Sequence, residues 1–72
     1  MSNVPQLKPT KLSKFYKKRG FRTKKGKGSH LIHFNDEISF PIPMHNKVLG
    51  KGLLLSILKQ SKTTLQDLKD NI

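Results

Sequence analysis

No cysteine occurs anywhere in the 72 residues, so disulfides and thiolate metal sites are both excluded. Carboxylates are nearly as scarce. The four acids are Asp36 and Glu37, adjacent in one turn, and Asp67 and Asp70 near the C-terminal end. They leave no carboxylate dyad for two-metal chemistry and no serine–histidine–carboxylate set. A long apolar run is missing too. The longest cluster, residues 53–58, is interrupted by Ser56 and falls far short of the ~20 residues that cross a bilayer. Residues 1–6 lack the apolar stretch of a signal peptide. These absences predict a soluble, cytoplasmic protein without membrane contact or cofactor. The length predicts a single domain over residues 1–72, with residues 1–9 as a flexible tail and a core near the smallest that folds without staples.

What is present in excess is positive charge. Fifteen Lys and Arg face four Asp and Glu, a formal net charge of +11. The excess is uneven: ten of the basic residues fall between Lys8 and Lys27, and no acid precedes Asp36. A run of one sign repels itself, and so implies a polyanionic partner, nucleic acid ahead of an anionic membrane.

Periodicity gives the order of elements. Leu12, Phe15 and Tyr16 make one apolar stripe on a basic helix over residues 11–19, with Thr10 as its N-cap and Gly20 closing it. Residues 21–25 and 30–35 read as strands around a loop at 26–29. After a turn at Asn35-Asp36-Glu37, residues 38–42 form a third strand on which Ile38, Phe40 and Ile42 alternate onto one face. Pro41 and Pro43 lack donors, so the outer side of that strand is expected to be an edge, or the strand to end near Pro43. A second helix carries Leu53, Leu54, Ile57 and Leu58, with Leu55 off the stripe. Thr64-Leu65-Gln66-Asp67 then starts a short third helix with Leu65 and Leu68 inward. This order predicts an α+β two-layer domain, helices on one face of a three-stranded antiparallel sheet. Its expected core packs Ile32, Phe34, Ile38, Phe40 and Ile42 against Leu12, Phe15, Leu54, Ile57 and Leu58.

The chemistry concentrates at Lys25-Gly26-Lys27-Gly28-Ser29-His30. Lys24, Lys25 and Lys27 supply charge, and the glycine loop through Gly28 and Ser29 offers backbone N–H groups to an oxyanion. His30 follows as a group able to exchange protons near neutral pH. Strand parity points His30 inward with Ile32 and Phe34, whereas a bulge after the loop would re-aim it, and the sequence leaves both open. His33, on the face of Leu31 and Asn35, is expected to be exposed. His45 reads as a surface or helix-capping residue. Odd spacing puts His30 and His33 on opposite strand faces, which argues against a metal site. A lone histidine among lysines suits RNA, whose 2′-OH is its own nucleophile.

In order and spacing these pieces resemble a family. Arg19-Gly20-Phe21, Gly28-Ser29-His30, Phe40-Pro41-Ile42-Pro43-Met44-His45-Asn46-Lys47, Leu49-Gly50-Lys51-Gly52-Leu53-Leu54 and Ser56-Ile57-Leu58-Lys59-Gln60 are similar to the HicA toxins of prokaryotic toxin–antitoxin systems, from Thr10 to the C-terminus. The resemblance implies a double-stranded-RNA-binding-like α-β-β-β-α fold and a metal-independent mRNA interferase. It further implies His30 as the catalytic residue and a HicB-type antitoxin as protein partner. RNA contacts are expected from Arg22, Lys24, Lys25, Lys27, Gly28 and Ser29, with Lys47 and Lys51 before the second helix. Leu55 departs from the family pattern, which often has a basic or polar residue there. Two rival readings keep the charge without the catalysis: an RNA- or DNA-binding module in which His30 only hydrogen-bonds, and a ribosome-associated basic protein.

Overall fold

The computed structural model describes residues 4–72. Helix α1 (Pro9–Lys18) presents Leu12, Phe15 and Tyr16 inward. Pro9 stands at its start, where a missing N–H costs nothing. The helix therefore begins before the expected residue 11, and Thr10 caps nothing, because the N-cap position is Lys8 without a side-chain bond. Its far end follows the sequence. Gly20 N–H donates to Lys17 O and Phe21 N–H to Tyr16 O, both at 3.1 Å. These are the paired bonds of a Schellman close, and the Phe21 ring meets the Tyr16 ring at 5.3 Å.

Strands β1 (Arg22–Lys25), β2 (His30–Phe34) and β3 (Ser39–Pro43) form an antiparallel sheet in the order β1-β2-β3. Asn35 sets the register of the second hairpin. Its N–H reaches Ile38 O at 2.9 Å, and its Oδ1 accepts from the amides of Glu37 and Ile38 at 2.9 and 2.7 Å. His33 consequently lies opposite Phe40, and Leu31 opposite Ile42. Bonds from Asn35 N–H to Ile38 O and from Met44 N–H to Ser29 O bracket the β2–β3 ladder. Alternation between them leaves Pro41 and Pro43 at positions whose N–H would point away from β2, so the edge tolerates both.

Helices α2 (Lys51–Gln60) and α3 (Leu65–Asp70) complete an α+β fold with all helices on one face of the sheet. Thr64 caps α3, its Oγ1 accepting from Asp67 N–H at 3.0 Å. Leu12, Tyr16, Ile42, Leu54, Ile57 and Leu68 lose all exposure, with Phe40 close behind. Tyr16 stands at the centre: its ring is edge-on to Phe15, Phe21 and Phe40 at 5.0, 5.3 and 4.8 Å. Its hydroxyl lies 2.6 Å from Ser61 Oγ, which is itself 2.9 Å from Thr63 Oγ1 and 3.1 Å from Leu58 O, with a single hydrogen to give. Burial raises the Tyr16 pKa above its ordinary value, against the lowering effect of these bonds, so the phenol keeps its proton.

The sheet's inward face carries Leu31, His33, Phe40 and Ile42, which corrects three expectations. Ile32 and Phe34 lie on the outer face and are half-buried. His33, expected at the surface, is fully buried. Its Nε2 lies 2.8 Å from Ser13 Oγ, and its ring stacks on Phe40 at 5.7 Å and 16°. The cause is register. β2 is apolar at 31, 32 and 34, so its own pattern does not choose a face, and pairing with the cleanly alternating β3 chooses for it.

Two smaller corrections concern the ends of the apolar surface. Leu53 is exposed, as Leu55 is, since Leu54, Ile57 and Leu58 define the buried stripe of α2. The tail expected over residues 1–9 is packed from residue 4 onward, and residues 1–3 lie outside the described residues. Leu7 is buried, its carbonyl accepts from Leu49 N–H at 2.8 Å, and Val4 packs on the core. Among the described residues no helix is long and apolar enough to cross a membrane.

Candidate functional site

With the helices gathered on the inner face, the outer face of the sheet has no helical cover. Arg22 and Lys24 of β1, His30, Ile32 and Phe34 of β2, and Ser39, Pro41 and Pro43 of β3 share it, as the register requires. His30 is exposed there. This settles its direction: it shares parity with Ile32 and Phe34 as the sequence indicates, but that parity is outward.

The loop before His30 builds its geometry. His30 N–H donates to Lys27 O at 3.0 Å, closing a turn in which Gly28 takes φ +57°. A positive φ at the first central residue alone is the II′ arrangement that hairpins favour, and glycine adopts it without steric cost. Gly26 is required for a different reason: a Cβ there would meet His30 O and Ile32 Cδ1 at 3.0 Å. The Gly26 N–H is bonded to His30 O at 3.0 Å, so it does not serve an anion. Among the described residues the amides of Gly28 and Ser29 have no protein acceptor, and they remain the donors at the tip.

The same turn fixes the tautomer of His30. Nδ1 lies 3.1 Å from Lys27 O, and a carbonyl only accepts, so Nδ1 carries the hydrogen. The lone pair of the neutral ring is therefore on Nε2, directed away from the loop backbone. His45 is held the other way. Its Nδ1 accepts from Lys47 N–H at 3.2 Å, which leaves the hydrogen on Nε2. The loop carrying His45 and Lys47 is tied to the hairpin tip by Met44 N–H to Ser29 O at 2.8 Å. His45 thus caps no helix and belongs to the end of the sheet where His30 lies.

The predicted contact residues divide. Arg22 and Lys24 share the outer face with His30, while Lys27, Gly28 and Ser29 form the tip beside it and Lys47 lies in the tethered loop. Lys25 pairs with Leu31 and has the opposite parity, at the exposed end of the sheet. Lys51 opens α2 in the helical layer. His33 is sealed inside. Burial lowers its pKa below the ordinary value, and Lys17 adds to that, outweighing its bond to Leu31 O. A cleft of about 190 Å³ lined by Lys11, Lys14, Phe15, Lys18, Asn71 and Ile72 lies on the helical side. Among the described residues no three His, Asp or Glu side chains form a group able to hold a metal ion.

One residue of this face escaped the sequence reading, Phe34 as an outward ring. Its signal was the turn at Asp36-Glu37. A two-residue loop pairs Asn35 with Ile38, and counting back places His33 against Phe40 and Phe34 outside.

A family model described as HicA toxin of bacterial toxin–antitoxin matches residues 10–62. No curated protein and no solved structure matches the chain.

Proposed function

The chain belongs to the HicA family of toxins from bacterial toxin–antitoxin systems, and on that premise we propose that it is an mRNA interferase acting in the cytoplasm through His30. The observation that carries the reading is the bond from His30 Nδ1 to Lys27 O, which turns Nε2 outward on an uncovered basic face. Nε2 takes the proton of a substrate 2′-OH as the 2′-oxygen bonds to phosphorus. The bond from phosphorus to the 5′-oxygen breaks, and that oxygen takes a proton from water. The products are a 2′,3′-cyclic phosphate and a 5′-hydroxyl. Because the nucleophile belongs to the RNA, no metal ion is needed to generate one.

Charge developing on the phosphoryl oxygens is met by Lys27, the amides of Gly28 and Ser29, and the Nε2–H of His45. Arg22, Lys24 and Lys47 hold flanking phosphates, and Lys25 and Lys51 lie further out. The antitoxin of the pair is of HicB type, and acidic groups on it answer this same surface.

The test compares His30→Ala with the wild type. His30 is exposed, so folding stability should move by no more than about 0.5 kcal/mol. Cleavage should vanish while affinity for RNA persists, and EDTA should not inhibit the wild type. Full activity of the alanine variant, or products ending in 5′-phosphate, would return the chain to a non-catalytic RNA-binding module.

A further inference from the structure

We infer that Phe34 is a base-stacking platform which, with Arg22 and Lys24, forms a subsite for single-stranded RNA a few nucleotides from the scissile bond. The proposal rests on the reading that His30 acts on RNA, and it adds the class of substrate and a place where the strand is held.

A phenylalanine on a sheet normally faces the core. This one faces out, half-buried, on the side of the sheet without helices. It stands in line with His30 and Ile32 on β2, about 14 Å along the strand from His30 at ~3.4 Å per residue. Ile32 lies opposite Pro41, which extends the apolar floor between ring and histidine. Over the ring, Arg22 Cζ lies 5.1 Å and Lys24 Nζ 5.3 Å from the centroid, so a base stacking there displaces these long side chains from the face or stacks on the guanidinium plane. The carboxylate nearest Arg22 is Asp36, 3.8 Å away and almost wholly exposed, so it does little to neutralise either cation.

A sheet face without helical cover, with one aromatic ring, an apolar floor and two cations over that ring, has the two components that unpaired nucleotides recognise. Bases stack on the ring, and phosphates pair with the cations. Only a strand whose bases are unstacked offers a π-face to such a ring, so duplex RNA does not fit. An extended strand lying along β2 would pass from the cations at Phe34 to the donors at the hairpin tip.

The chain contains no tryptophan, so Phe34→Trp introduces a single indole reporter at the subsite. It is titrated with a 2′-O-methyl oligonucleotide, which lacks the nucleophile, as a single strand and as a duplex. Saturable quenching by the single strand and none by the duplex is expected. Phe34→Leu should weaken single-strand binding by about 5- to 150-fold and raise KM while leaving kcat nearly unchanged. Absence of quenching while a labelled strand binds by anisotropy, equal quenching by duplex, or wild-type affinity in Phe34→Leu would overturn the subsite. The two readings fail separately. If the wild type cleaves no RNA but the quench persists, the nuclease reading falls and the subsite stands. If Phe34→Leu cleaves with unchanged KM, the subsite alone falls.

Discussion

His33 carries the strongest pH prediction in the molecule. It is buried between α1 and the sheet, with Nε2 facing Ser13 Oγ, Nδ1 facing Leu31 O, and Lys17 as the nearby charge. Its folded pKa is lowered, so the unfolded chain binds more protons than the folded one as pH falls. The stability this contributes is complete above the unfolded value of 6.5 and is lost as pH drops through the lowered folded value. Urea unfolding at pH 7.5 and 5.5 should therefore give a smaller free energy at the lower pH. A Ser13→Ala/His33→Phe double variant should lose most of that difference. An unchanged difference would mean His33 is not held neutral. A second residue is strained. Lys62, just past the Ser61 C-cap of α2, takes φ +56°, with Lys62 N–H on Lys59 O and Thr63 N–H on Leu58 O. Glycine adopts that conformation freely, so Lys62→Gly should stabilise the protein by about 0.5–1 kcal/mol, read as a higher urea midpoint.

Among the elements, α1, α3 and β3 were legible because each has one clean apolar period, and α2 was legible as a helix although Leu53 of its expected stripe is exposed. Leu12, Phe15 and Tyr16 lie on one helical stripe, and Phe40 and Ile42 on one strand face. β2 was not. Leu31, Ile32 and Phe34 are apolar on both parities, and the ambiguity exists because this strand serves two surfaces, the inward side with Leu31 and the buried His33 and the outer face with Phe34. Local pattern and final structure disagree where the outer face carries the candidate site, the place such conflicts are expected. The glycine loop and His30 were legible as a motif, but their orientation depends on a register that β3 imposes. Truncations test the layers directly. Phe40→Ala and Leu54→Ala empty fully packed positions and should each cost about 2–5 kcal/mol. Ile32→Ala, on the half-buried outer face, should cost well under either. Equal losses at all three would contradict the two faces assigned to the sheet.

Across the whole molecule, charge is arranged by layer. The sheet's outer face gathers Arg22, Lys24 and His30, while the exposed side of α1 carries Lys11, Lys14 and Lys18 on the far side of the core. On the proposed function, RNA held at His30 meets the first set. Reversing Arg22 and Lys24 together to Glu should weaken single-stranded RNA binding and flatten the log–log salt slope by roughly 1.4, at ~0.7 per lost phosphate contact. Reversing Lys14 and Lys18 should change that slope far less. The central claim, that His30 drives attack by the RNA's own hydroxyl, is tested most directly with one modified substrate. An RNA cut by the wild type is remade with a single 2′-deoxynucleotide on the 5′ side of the scissile bond, and cleavage is followed in EDTA. The account predicts undiminished binding and no cleavage at that bond, with neighbouring ribonucleotides still cut. Cleavage at the deoxy position would show that water or another group is the nucleophile, and would contradict it.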